Sequence, residues 1–273
     1  MRLACCQHGI EAASAENVER ALAAIAEAAS GGADLVCLPE IFNVGYFAFD
    51  DYEQGAQSLA GPTLSRVADA AREYGVGVLA GSIVEDLAAS AGDGFDVPAE
   101  RGLANTSVFF DRDGERRAVY RKHHLFGYES REAELLVPGK SLGLAEFDGF
   151  TLGMTTCYDL RFPELYRELA DAGATLVLVP SAWPYPRVDH WQLLPRARAV
   201  ENQLFVATCN GSGTFVETEL CGRSAIYDPW GEVLAEAGSD ERAADEPAVV
   251  TADIDPERVA SVREEFPALG DRR

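Results

Sequence analysis

The chain has 273 residues, of which 45 are acidic and 23 are basic, giving a formal net charge of −22 at pH 7. This length is enough to bury a substantial core. So large a negative charge disfavours nucleic acids and anionic membranes as partners, because both are polyanions. No stretch approaches the roughly 18 uninterrupted apolar residues of a membrane span, and the N-terminus lacks the charged, apolar and small-residue order of a signal peptide. We therefore expect a cytoplasmic protein.

The basic residues are almost all arginine, and the only lysines are Lys122 and Lys140. An acidic surplus with few lysines is typical of proteins from salt-loving cells, where ions screen the self-repulsion. An ordinary acidic enzyme from a GC-rich genome would have the same composition, and both explanations stay open. The cysteines lack C-x-x-C spacing, so we expect reduced thiols. They are Cys5, Cys6, Cys37, Cys157, Cys209 and Cys221.

Apolar strands alternate with amphipathic helices along the first half of the chain. The pattern predicts strands at 1–7, 35–38 and 76–84 and helices at 15–29 (with Ser14 as N-cap) and 62–74. Residues 86–102, rich in Asp, Gly, Ala and Ser, predict an irregular segment. Residues 105–110 and 115–121 flank a turn sequence and predict a hairpin.

The second half continues the alternation. It predicts strands at 144–147, 150–156, 176–179, 204–210, 225–227, 232–237 and 249–253, helices at 163–171 and 191–201, and a polar C-terminal helix and tail at about 255–273. The segment 32–40 resembles 173–181 in pattern, since each follows a helix and ends a strand at a proline. The sequence therefore predicts an α/β protein of two similar halves. No proline- or serine-rich linker divides them, so we expect one domain over 1–273.

Three predicted strand ends carry reactive side chains, Glu40, Lys122 and Cys157. Loops after such strands converge at one edge of an α/β sheet, so these groups should meet there. A carboxylate can take the thiol proton and deliver it to a leaving amine. An ammonium, with the Tyr158 N–H, can stabilise the anionic oxygen of a tetrahedral intermediate. The predicted helix start beside Cys157 favours its thiolate.

The segments around these residues resemble the signatures of the nitrilase (carbon–nitrogen hydrolase) superfamily. They read Leu38-Pro39-Glu40-Ile41-Phe42, Tyr120-Arg121-Lys122-His123-His124-Leu125-Phe126 and Cys157-Tyr158-Asp159-Leu160-Arg161-Phe162-Pro163-Glu164. The resemblance covers nearly the whole chain. It implies a four-layer α-β-β-α sandwich, usually assembled into homodimers or larger oligomers, and a Glu-Lys-Cys triad without a metal or cofactor.

The resemblance also implies a second glutamate between the lysine and the cysteine. Glu129, Glu132 and Glu134 compete for this position. We prefer Glu132 because its spacing to Pro138-Gly139 is similar to that in the family. The assigned catalytic group is therefore Glu40, Lys122, Cys157 and Glu132.

The other reactive residues have competing interpretations. Cys221, in a polar stretch, is the only rival thiol, because the remaining cysteines lie in apolar runs. Residues 139–143 fit the G-x-S-x-G pattern of serine hydrolases around Ser141, but that pattern needs a strand before and a helix after. Here a Pro-Gly turn precedes it and a predicted strand follows. The four histidines show no metal-ligand spacing.

Aromatic residues near the signatures predict a fairly apolar substrate pocket, chiefly Tyr46, Phe47, Tyr128 and Trp183. The chemistry predicts hydrolysis of a small linear amide or carbamoyl compound to acid and ammonia through a thioester. Nitrile hydrolysis and acyl transfer to an amine would use the same residues, and a binding or scaffold protein on an inactive amidase fold is the non-enzymatic alternative.

Overall fold

Two β-sheets lie face to face in the computed structural model, which describes residues 1–10, 14–128, 130–238 and 247–272. The strands in these residues are β1 Arg2–Gln7, β2 Leu35–Cys37, β3 Gly77–Leu79, β4 Ile83–Asp86, β5 Leu103–Phe110, β6 Arg116–Arg121, β7 Gly143–Phe147, β8 Phe150–Met154, β9 Leu176–Ser181, β10 Phe205–Asn210, β11 Ser212–Phe215, β12 Thr218–Cys221, β13 Ala225–Tyr227, β14 Val233–Glu236 and β15 Ala248–Asp253. The helices are α1 Ser14–Ser30, α2 Tyr52–Gly55, α3 Pro62–Tyr74, α4 Leu87–Gly92, α5 Glu132–Leu135, α6 Pro163–Asp171, α7 Val188–Asn202 and α8 Pro256–Glu265, with short 3₁₀ turns at Phe49–Asp51, Cys157–Arg161 and Ala268–Asp271.

The two sheets repeat one topology. The first has the order β15-β1-β2-β3-β5-β4, with β6 paired to β5, and the second has the order β14-β13-β10-β9-β8-β7. In each, three parallel strands (β1-β2-β3 and β8-β9-β10) are flanked by antiparallel neighbours. The central strands β2 and β9 begin at equivalent positions in 32–40 and 173–181, the two segments that the sequence pattern had matched. The prediction of two similar halves is therefore confirmed.

Side chains alternate between the two faces of each strand and so define the layers. In β1, Leu3 and Cys5 face the core between the sheets, whereas Ala4 and Cys6 face α1 and α3. In β9, Leu176 and Leu178 face inward and Val177 and Val179 face the layer of α6 and α7. The order is helix, sheet, sheet, helix, as the resemblance implied. None of the helices in the described residues is long and apolar enough to cross a membrane.

The predicted strand at 76–84 is wrong, because two strands replace it, with a break at Gly81. Gly81 has a φ of +39°, and a Cβ there would lie 1.9 Å from the Pro39 carbonyl oxygen. Only glycine fits so close an approach. The break turns Ser82 toward the end of β2, where its hydroxyl accepts a hydrogen bond from the Ile41 N–H at 2.8 Å. A glycine thus positions the chain beside Glu40.

Three smaller predictions also need correction. Ser14 is the first residue of α1 rather than the residue before it, and the segment predicted to be irregular contains α4. Its N-cap is Asp86, whose carboxylate accepts from two backbone N–H groups. The β11–β12 hairpin was not predicted, and it places Cys221 at a buried strand end instead of in an exposed loop.

Candidate active site

Glu40 lies three residues beyond the end of β2 and has no solvent exposure. Its Oε1 atom accepts hydrogen bonds from Lys122 Nζ at 2.9 Å and from Asn105 Nδ2 at 2.8 Å. The Oε2 atom accepts from the Ala182 N–H at 2.9 Å. The carboxylate is therefore fixed from both sheets, since Asn105 belongs to β5 and Ala182 follows β9.

Lys122 follows β6 directly and is also fully buried. Its ammonium lies 2.8 Å and 3.0 Å from the two oxygens of Glu132, in addition to its contact with Glu40. The Tyr46 ring centroid is 5.2 Å from Nζ, within the range of a cation–π contact. One ammonium thus lies between two carboxylates at the end of a strand.

Glu132 begins α5, and its carboxylate is surrounded by donors. Besides Lys122 and Asn105, the Phe126 N–H donates to Oε2 at 2.6 Å and the Tyr46 hydroxyl donates at 3.0 Å. Glu134, its rival in the sequence, is exposed. Glu129 lies outside the described residues. The structure therefore brings Glu132 into the charged cluster, at the position that the sequence favoured.

Cys157 begins the 3₁₀ turn that follows β8 and is 8% exposed. Its φ of +47° is in the left-handed region that non-glycine residues rarely occupy, and such strain is concentrated at functional sites. The Glu40 carboxylate and the Ala182 N–H lie close enough to the thiol to affect its ionisation. The Tyr158 N–H is in the first turn of this short helix, where backbone amides have no partner within the helix.

Asp159 holds the cysteine turn against the segment that carries Lys122. Its Oδ2 atom accepts hydrogen bonds from the Thr156 N–H at 2.9 Å and from the Tyr120 hydroxyl at 2.6 Å. The other oxygen accepts from the His124 N–H at 3.0 Å and contacts Nδ1 of the same ring at 2.8 Å. His124 stacks on Phe162 with ring centroids 3.7 Å apart. The two signature segments are thus joined by a buried carboxylate.

The ionisation of the site follows from burial and from its internal charges. Burial raises the pKa of Glu40 and the Lys122 ammonium opposes that rise. Burial would lower the pKa of Lys122, but the Glu132 and Glu40 carboxylates hold it well above its usual value. Burial, and then Glu40, raise the pKa of the Cys157 thiol. The expectation that the helix start would favour a resting thiolate is therefore wrong, because desolvation and a neighbouring carboxylate outweigh it.

An open cleft leads to Cys157. Tyr46, Phe47 and Trp183 line it, as the sequence predicted, together with Lys122, Phe126, Tyr158, Arg161, Ala182, Pro184 and Arg187. Tyr128 is not among the lining residues and its side chain is 64% exposed, so its assignment to the pocket is corrected. Sequence reasoning missed Asn105 and the two arginines as site residues. Arg161 is part of the cysteine signature itself, which could have signalled it.

The remaining candidates are placed away from the cleft. Cys221 is fully buried, and all six cysteines, each within the described residues, are free thiols. Ser141 is followed by strand β7 and not by a helix, so the serine-hydrolase pattern lacks its structural context. Within the residues that the structure describes, no group of His, Cys, Asp or Glu side chains is arranged to hold a metal ion.

A buried thiol, carboxylate and ammonium at the base of a cleft define a cysteine hydrolase. The family model for carbon-nitrogen hydrolases matches residues 2–264. The chain belongs to this family, in the amidase-like branch of the nitrilase superfamily.

Its relatives include amidases of small substrates. The chain is 39% identical to the 2-oxoglutaramate amidase of Paenarthrobacter nicotinovorans over 248 residues, which cover 89% of this chain and 79% of that protein. It is 35% identical to human omega-amidase NIT2 over 282 residues, covering 100% of this chain and 95% of that one. Among solved structures, an amidase variant from Nesterenkonia sp. AN1 that carries acrylamide added at its active-site cysteine superposes with a TM-score of 0.80 and 29% identity, over 99% of both chains. The protein is an amidase-type enzyme that hydrolyses a non-peptide carbon–nitrogen bond of a small amide.

Proposed function

We propose that the substrate is a short linear acid with a carboxylate at one end and the scissile amide at the other, as in 2-oxoglutaramate. The observation that carries this proposal is the pair of guanidinium groups, Arg161 and Arg187, in a cleft whose other walls are mostly apolar. The names of the relatives point to the same class of compound.

The two arginines are held by aromatic faces. The guanidinium carbon of Arg161 lies 4.9 Å from the Trp183 ring centroid, and that of Arg187 lies 5.9 Å from the Phe126 ring centroid. Among the described residues, neither has a carboxylate within 4.0 Å, although the chain has 45 acidic residues for 23 basic ones. Arg161 donates one N–H from Nη2 to His190 Nδ1 at 3.2 Å. A guanidinium group has five N–H donors, so the others remain for binding a carboxylate. They suit an anionic end of a substrate whose amide reaches Cys157.

The proposed reaction begins with transfer of the Cys157 proton to Glu40 while sulfur attacks the amide carbon. The carbonyl oxygen becomes an oxyanion that accepts hydrogen bonds from Lys122 Nζ and the Tyr158 N–H. Lys122 has three donors, and one remains for the oxyanion when Glu40 and Glu132 each take one. Glu40 then returns its proton to the amine, the carbon–nitrogen bond breaks, and ammonia leaves a thioester on Cys157.

Water completes the proposed cycle. Glu40 takes a proton from a water molecule, whose oxygen attacks the thioester carbon and forms a second oxyanion on the same donors. The carbon–sulfur bond then breaks, the sulfur recovers a proton from Glu40, and the carboxylic acid is released. Glu132 takes no part in these proton transfers, because each of its oxygens already accepts hydrogen bonds from fixed donors. Its role is to balance the charge of Lys122.

The substrate class is tested by ammonia release from four compounds of similar length: 2-oxoglutaramate, glutaramate, butyramide and butyronitrile. We expect kcat/KM to be highest for the two amides that carry a carboxylate. Arg187→Met should lower the ratio of kcat/KM for glutaramate to that for butyramide about ten- to hundredfold, the range for losing a hydrogen bond to a charged group.

Arg66→Met is the matched control for this experiment, since Arg66 pairs with Glu19 on the outside of the first helix layer. It should leave the ratio unchanged. If butyramide or butyronitrile is turned over as well as glutaramate, or if Arg187→Met leaves the ratio intact, the carboxylate assignment is wrong. Equal turnover of the nitrile would favour the nitrilase alternative.

We also propose that the protein is a homodimer or a multiple of one. Leu193 and Val200 lie seven residues apart on one face of α7 and are 63% and 46% exposed. Trp230 and Phe266, also exposed, have ring centroids 6.0 Å apart, and a Cβ at Gly231 would lie 2.5 Å from Val200 Cγ2. Leu193, Val200, Trp230 and Phe266 form an outer patch that a second copy can cover by a two-fold contact.

Light scattering at micromolar concentration should give at least twice the mass of the chain. Val200→Glu should shift the protein toward the monomer, because it places a charge in the buried centre of such a contact. Val233→Glu, at an exposed apolar residue outside the outer patch, is the control. A wild-type protein that stays monomeric would contradict the proposal. The cytoplasmic location and the salt-loving host remain predictions from composition.

A further inference from the structure

Asn105 connects the two carboxylates of the active site. It lies on β5, is fully buried, and its Nδ2 atom is 2.8 Å from Glu40 Oε1 and 3.2 Å from Glu132 Oε1. Its backbone carbonyl oxygen accepts the Lys122 N–H at 2.9 Å. A single neutral residue thus contacts Glu40, Glu132 and Lys122.

The orientation of this amide is set by the two glutamates. Rotating the group would place its oxygen against two carboxylates, so the NH₂ must face them. This orientation leaves the oxygen of the same amide unsatisfied, because Asn105 Oδ1 is buried without a hydrogen-bond partner. An unpaired buried acceptor is destabilising and calls for an explanation. Here both amide hydrogens are committed to the active site.

Resting on the proposed function, we propose that Asn105 is a positioning residue that separates the roles of the two glutamates. By giving one N–H to each, it keeps Glu40 as an ionised base directed at Cys157 and Glu132 as the fixed counter-charge of Lys122. Two carboxylates that share a site otherwise tend to share a proton, because one ionised group disfavours ionisation of the other. A shared proton would occupy the base before the reaction began.

The two carboxylates differ in how many of their hydrogen-bond acceptor positions are already occupied. Glu132 accepts from Lys122, Asn105, Tyr46 and the Phe126 N–H. Glu40 Oε2 accepts only from the Ala182 N–H among fixed protein donors in the described residues, and its carboxylate is close enough to Cys157 for each to affect the ionisation of the other. Glu40 Oε2 is therefore the oxygen that can accept the Cys157 proton. Asn105 preserves this difference by holding both Oε1 atoms.

Removing the amide should shift the pH dependence of the enzyme. The ionisable groups that face Glu40 are Lys122, Glu132, Cys157 and the phenols of Tyr46 and Tyr52. Burial already raises the pKa of Glu40, and a hydrogen bond to its ionised form acts in the opposite direction. Without Asn105 the pKa of Glu40 should rise further. The acid limb of kcat/KM, where the base becomes protonated, should then move to higher pH.

The experiment compares Asn105→Ala with Asn202→Ala. Asn202, on α7, is also fully buried, donates one amide hydrogen bond to a backbone carbonyl oxygen and has an unpaired Oδ1. We expect Asn105→Ala to raise the midpoint of the acid limb by about one pH unit and to lower kcat on the order of tenfold below that midpoint, with KM little changed. Asn202→Ala should leave the pH profile in place, whatever it does to the melting temperature.

Glu40→Gln makes the outcomes distinguishable. If Asn105→Ala keeps the wild-type pH profile and kcat while Glu40→Gln is inactive, the role of Asn105 is wrong and the proposed function stands. If Glu40→Gln turns over like the wild type, Glu40 is not the base and the proposed function fails with it. Should Asn105→Ala fail to fold, the nearly isosteric Asn105→Leu provides the same test. It removes both N–H donors without adding a charge and should also move the acid limb upward, and an unmoved limb would overturn the proposal.

Discussion

Replacing Cys157 with alanine is expected to lower kcat by about 10⁴- to 10⁶-fold, the range seen when a catalytic nucleophile is removed. The reason is that no other thiol reaches the cleft. Cys221, the rival in the sequence, is fully buried at the end of β12, and Cys5, Cys6, Cys37 and Cys209 are buried in the cores of the sandwich. Ammonia release measures the loss, and the melting temperature shows that the variant is folded.

Two variants serve as controls for Cys157→Ala. Cys221→Ala and Ser141→Ala should each keep kcat within about twofold of the wild type, since neither side chain lines the cleft. Intact-protein and peptide mass spectrometry after brief exposure to substrate should find the acyl group on Cys157 alone. An adduct on Cys221 or Ser141, or sustained turnover by Cys157→Ala, would refute the assignment of the nucleophile.

The sequence was most informative where local chemistry determines local structure. The helices Pro62–Tyr74 and Pro163–Asp171 were predicted with the bounds that the structure shows, because proline at the first position marks the start of each. The strand ends that carry Glu40, Lys122 and Cys157 were also found, since a buried strand followed by a polar residue is a local pattern. Their convergence followed from the rule that such loops share one sheet edge.

Features that depend on distant contacts were missed. The break at Gly81 reflects the close approach of Pro39, which lies outside the 76–84 segment and would clash with any side chain at this position. Asn105 lies inside a correctly predicted strand, but its role depends on β5 standing next to β6 and opposite the end of β2. Tyr128 was wrongly placed in the cleft because sequence gives the position of a loop and not the direction of its side chains. Arg187 was missed for the same reason.

Replacing Lys122 with arginine is expected to lower kcat on the order of a hundredfold or more, comparable to losing an oxyanion donor. The charge is kept but the shape is not. Nζ sits between Glu40 and Glu132 at 2.9 Å and 2.8 Å in a fully buried site. A guanidinium is planar and prefers to pair with one carboxylate through two hydrogen bonds, so it would be drawn onto Glu132 or Glu40. The donor for the oxyanion would then be misplaced.

The fold should tolerate this substitution better than catalysis does. The charge balance of the cluster is unchanged, and the larger group costs about 1–3 kcal/mol of overpacking, which circular dichroism and a modest fall in melting temperature would register. Lys140→Arg is the matched control, because Lys140 is the only other lysine, is exposed and lies outside the cleft. It should be neutral in both measurements. Losing an oxyanion donor leaves on the order of a hundredth of the activity or less. If Lys122→Arg keeps more than about a third of wild-type kcat, Lys122 therefore acts only as a counter-charge. The oxyanion would then have to be held by the Tyr158 N–H and other backbone donors.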